Sequence, residues 1–68
     1  MTQSDLRMIL EYIALDEKLT RKTRSEKFAA AIMMWLDTHA GDLSTEEVFD
    51  TFDTTMADIV KDHNLQLN

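Results

Sequence analysis

Apolar side chains along the last third of the chain recur at steps dominated by three and four: Val48, Phe49, Phe52, Met56, Ile59 and Val60. At about 100° per residue these fall in one stripe, the pattern of a helix that lays one side against a core. The segment Leu43-Ser44-Thr45-Glu46-Glu47-Val48 stands at its head. There the Ser44 hydroxyl can accept from the Glu47 backbone N–H, the Glu47 carboxylate can accept from the Ser44 N–H, and Leu43 can pack on Val48. A helix over 44–63 is predicted.

Upstream, His39-Ala40-Gly41-Asp42 reads as a stop, with Gly41 expected to close the preceding helix in the left-handed conformation that glycine adopts without steric cost. Thr23-Arg24-Ser25-Glu26 fits a second capping box ahead of the apolar run Phe28 to Leu36, so the second helix is predicted over 24–39. Its main face gathers Phe28, Ala29, Ile32, Met33, Trp35 and Leu36, whereas Ala30 and Met34 fall among Glu26, Lys27 and Asp37. So apolar a helix belongs at the centre of the fold.

The first helix is predicted over 4–19, capped by Thr2 or Ser4. It carries two apolar stripes: Leu6, Ile9, Leu10 and Ile13 on one side, and Met8, Tyr12, Leu15 and Leu19 on the other. A three-helix chain covers one of them readily. The other is expected to meet a partner, together with Met34. The polar, basic stretch Thr20 to Arg24 reads as a turn or as a continuation of the first helix, and Leu65 to Asn68 as a tail or a short fourth helix.

These elements make an all-α fold class, a small three-helix bundle in one domain of 68 residues. A chain this short buries only roughly 60% of the surface its unfolded form exposes. It has no cysteine for a disulfide, so self-association is the expected source of extra stability. No apolar run reaches the length of a membrane span, and Met8 to Leu15 lacks a basic leader and a cleavage site, which points to a cytoplasmic protein.

Charge changes the picture because it is divided along the chain. Six basic and five acidic residues lie up to Leu36, against one basic and eight acidic after it, within a net charge of −6. The basic cluster Lys18, Arg21, Lys22, Arg24 and Lys27 is a candidate for phosphate contacts, but the acidic remainder opposes direct nucleic-acid binding, and Glu17 is placed to pair with Arg21 at i+4. On the third helix Glu46, Glu47, Asp50 and Asp53 share an arc opposite the apolar stripe. Carboxylates held on a rigid rod suit a basic protein surface.

Catalytic and metal chemistry find little footing. Ser4, Ser25 and Ser44 each fall at a predicted helix start, where capping accounts for them. Asp50 to Met56 puts aromatic and apolar residues where an EF-hand needs oxygen ligands and has no glycine, so no metal site is expected there. His39 and His63 read as core-edge or C-terminal capping residues, and no cofactor is implied.

The expectation is therefore a non-enzymatic, acidic protein–protein interaction module. Its apolar interface is expected at Met8, Tyr12, Leu15, Leu19 and Met34, joining two copies as a homodimer that serves as an adaptor or assembly piece. The alternative is an acidic inhibitor or decoy of the kind encoded by viruses and mobile elements, using Glu46, Glu47, Asp50 and Asp53 to occupy the basic nucleic-acid-binding surface of a host protein.

Overall fold

The computed structural model describes residues 2–65, which form α1 (Gln3–Leu15), α2 (Arg21–Thr38) and α3 (Thr45–His63) with no strand among them. The fold is an all-α three-helix bundle. The guanidinium of Arg24, in the first turns of α2, bonds carbonyls at the end of α1, so α2 returns antiparallel to α1. Arg7 reaches Asp62 and Glu11 reaches His63, so α3 runs parallel to α1.

Each helix starts on a side-chain cap. Thr2 caps α1 in a reciprocal box with Asp5, at 2.9 and 3.2 Å. Ser44 and Glu47 form the predicted box at the head of α3, at 3.1 and 3.2 Å. The start of α2 differs from expectation. Thr20 is its cap, accepting from the Thr23 N–H at 3.1 Å, and the helix is under way by Arg21. Ser25 is thus an exposed mid-helix residue, and Thr23-Arg24-Ser25-Glu26 is not a capping box. Thr20 lies closer to the end of α1, and capping there makes the connecting turn shorter.

The first helix is likewise shorter than 4–19, ending at Leu15 with Asp16 extended at its C-cap. Glu17 therefore lies in the turn, where the i+4 helical spacing to Arg21 does not apply. Gly41 takes no left-handed conformation; among the described residues the positive-φ residue is Asn64 (φ 51°), which ends α3. Its N–H bonds the Lys61 carbonyl and that of Leu65 bonds Val60, the paired bonds of a Schellman turn. The short fourth helix expected over 65–68 falls, apart from Leu65, outside the described residues.

Leu6, Leu10, Ile13 and Ala14 of α1, Ala31 and Trp35 of α2, and Val48 and Ile59 of α3 form the buried core. The buried positions on α2 correct the expected main face: Ala31 is inside, whereas Ala29 is exposed and Met33 is 62% exposed. The buried side of α2 centres on Phe28, Ala31 and Trp35, and Met33 stands about 140° from Phe28 at 100° per residue. Phe52 is half-buried and meets Phe28 edge to face, with ring centroids 6.3 Å apart. Trp35 packs against the His39 ring at 4.1 Å, and the imidazole lies 3.9 Å from the Asp42 carboxylate.

Candidate interaction surfaces

On α1, Leu6, Leu10 and Ile13 turn inward, which directs the positions half a turn away outward. Met8, Tyr12 and Leu15 hold those positions and are 69%, 75% and 42% exposed. Leu19 does not continue their stripe. With α1 ended at Leu15, the chain turns and Leu19 is half-buried against the core. A shallow depression of about 270 Å³ opens at the C-terminal end of the stripe, lined by Tyr12, Leu15, Asp16 and Lys18.

The cross-helix bonds fix which flank of each helix faces which neighbour. On α1, Arg7 and Glu11 face α3, and Tyr12 lies about 140° beyond Arg7, on the α2 side of the outer surface. On α2, Arg24 marks the flank toward α1, and Met34 lies about 80° outward from it on that same flank. Met34 is 50% exposed. The fold thus sets Met8, Tyr12 and Met34 along one outer α1/α2 surface, with Leu15 at its end.

Glu46, Glu47, Asp50 and Asp53 are all exposed on α3. Glu47 is occupied by the cap of its own helix. Two exposed residues escape a reading by sequence. Phe49 is 47% exposed, although it adjoins Val48 in the apolar stripe, and Met33 stands out from α2. The available signal for Phe49 was angular: it sits about 100° from Val48 at the stripe's margin, near Asp53 one turn on.

An ionic clasp joins α1 to α3. The Arg7 guanidinium donates to Asp62 at 2.6 Å and lies 3.5 Å from Glu11, whose carboxylate meets His63 Nε2 at 3.0 Å. The Arg7 bond holds the Asp62 carboxyl below the usual range, and the His63 bond does the same for Glu11, aided by Arg7. Asp5 is lowered by the Thr2 backbone and hydroxyl. Of the basic cluster, Arg24 is spent on carbonyls at the end of α1 and in the turn that follows, while Lys18, Arg21, Lys22 and Lys27 are exposed. No group of three or more His, Cys, Asp or Glu among the described residues is arranged to hold a metal ion.

No described helix is long and apolar enough to cross a membrane. Compared with protein-family models, curated proteins and solved structures, the chain matches none.

Proposed function

We infer that this chain is a non-enzymatic protein–protein interaction module that self-associates through the outer face of α1, acting as an adaptor or assembly piece. The observation that carries the reading is the exposure of Met8, Tyr12 and Leu15 on successive turns, on the side of α1 away from the core. Large side chains this exposed leave apolar area in water, and a methionine and a tyrosine are residue types favoured where proteins meet. Met34 extends the surface onto α2. Charges of both signs border it, since Asp16 and Lys18 line the depression beside Leu15. A mixed border suits pairing with an identical surface, because a two-fold axis can bring each charge toward its opposite.

Sedimentation at micromolar concentration tests the reading. Wild type is expected to be a dimer whose association tolerates salt, and Tyr12→Glu is expected to be a folded monomer with a nearly unchanged melting temperature when measured at low concentration. Wild type that stays monomeric at millimolar concentration would refute it. So would a Tyr12→Glu variant that remains dimeric.

A further inference from the structure

A second apolar surface lies between α2 and α3, and it differs in its border. The Phe28–Phe52 ring contact marks where these helices face each other. Phe49 lies about 60° outward from Phe52 on α3, and Met33 about 140° outward from Phe28 on α2, so both turn to the same side of the bundle. Because the helices are antiparallel and Phe28 is level with Phe52, Met33 is level with the first turns of α3, beside Phe49. Both stand out from the surface, at 62% and 47% exposure.

Within two turns of this pair the exposed charges on its side of the bundle are of one sign, with Lys22 one turn beyond Glu26. Glu46 and Asp53 stand one turn to either side of Phe49 on α3, and Glu26 and Asp37 lie on the outer side of α2 to either side of Met33. Four carboxylates about an apolar centre repel an identical surface and the phosphates of a nucleic acid alike. They attract a cationic segment, and Phe49 and Met33 supply the apolar contact that such a segment needs to be held rather than merely steered.

We propose that the α2/α3 face, centred on Phe49 and Met33 and bordered by Glu26, Asp37, Glu46 and Asp53, docks a basic amphipathic helix of a partner protein. The inference does not rest on self-association through α1, and the test is run in the Tyr12→Glu background to keep the two apart.

The full chain, labelled with ¹⁵N, is titrated at low salt with an amphipathic lysine–leucine helical peptide and, separately, with oligolysine of equal charge. The lysine–leucine peptide is expected to shift amides around Met33 and Phe49 and to bind more weakly as salt rises. Phe49→Gln should weaken it about tenfold, as expected for an interface anchor, without altering the weaker binding of oligolysine. Should Phe49→Gln disturb the fold, Met33→Gln, at a more exposed position, carries the same expectation. Equal binding to wild type and variant, shifts confined to the outer face of α1, or no binding overturns the proposal. Salt-sensitive oligomers of the unliganded Tyr12→Glu protein that vanish in Phe49→Gln would assign the face to the basic end of a second copy, and overturn it too.

Discussion

Arg24 does more for the fold than its place in a basic cluster implies. Its guanidinium donates to the carbonyls of Ile13, of Ala14 at 3.1 Å, of Asp16 at 2.7 Å and of Leu19 at 3.4 Å. The last carbonyls of a helix have no partner within it, and a cation there also opposes the negative end of the helix dipole. One planar side chain thus ends α1, holds the turn and ties α2 to it. Arg24→Met is expected to destabilise the domain by about 2 kcal/mol, the scale of hydrogen bonds to a charged group. Arg24→Lys should recover only part of that, because an ammonium lacks the fork that reaches several carbonyls at once. Urea unfolding of the three proteins checks both statements, and equal stability of Arg24→Met and wild type would contradict the first. Trp35 is the opposite case: its buried indole N–H has no hydrogen-bond partner among the described residues, and its ring packs within the core cluster.

Between elements, the clasp of Arg7, Glu11, Asp62 and His63 binds α1 to α3 at the surface. Asp62 and Glu11 both have lowered carboxyl pKa values in the fold. A group whose folded pKa is depressed favours the fold above its unfolded pKa, and that contribution is lost as pH falls through the folded value. The contribution of the clasp to the melting temperature should therefore be full and independent of pH near neutrality, and it should drop as pH goes below the ordinary carboxylate values of 4.5 and 3.8. Arg7→Gln removes the main cause of the Asp62 shift and part of that of Glu11. Its melting temperature is expected to lie below that of wild type at neutral pH and to converge on it in acid. Melting temperatures that coincide at neutral pH would show that the clasp contributes nothing to the fold, and a gap that stays constant into acid would show that its contribution does not come from these carboxylates.

Taken as a whole, the molecule has a thin core, with Leu6, Leu10, Val48 and Ile59 as its largest fully buried side chains. A single core of this size rarely supplies more than roughly 3–5 kcal/mol, and truncating a buried leucine to alanine costs about 2–5 kcal/mol. Leu10→Ala is accordingly expected to leave the chain largely unfolded at room temperature, seen as loss of helical circular dichroism and of a cooperative melt. A cooperative melt only a few degrees lower would mean that stability comes from elsewhere, and dependence of that melt on concentration would point to association. The bundle also sorts charge in space. The exposed Lys18, Arg21, Lys22 and Lys27 lie at and near the start of α2, and Asp37, Asp42, Glu46 and Glu47 at its far end, about 27 Å away along a helix of 18 residues.

The sequence by itself determined the helical type of the elements and the existence of three of them, the reciprocal cap at Ser44 and the apolar stripes that hold Leu6, Leu10, Ile13, Val48 and Ile59, because caps and periodicity are local or one-dimensional signals. Boundaries that depend on a partner elsewhere in the chain were not legible. Leu19 continues the Met8, Tyr12 and Leu15 stripe at helical spacing, yet α1 stops at Leu15 and Arg24 binds its freed carbonyls from another helix. The candidate surfaces divided the same way. Exposure of Met8, Tyr12 and Leu15 was foreseeable from a helix with apolar residues on two sides, since a short bundle covers only one, and that of Met34 from its place among Glu26, Lys27 and Asp37 on α2. That Phe49 and Met33 share an outer face was decided by tertiary structure alone, because only the packing of α2 against α3 fixes the rotation of each helix about its axis.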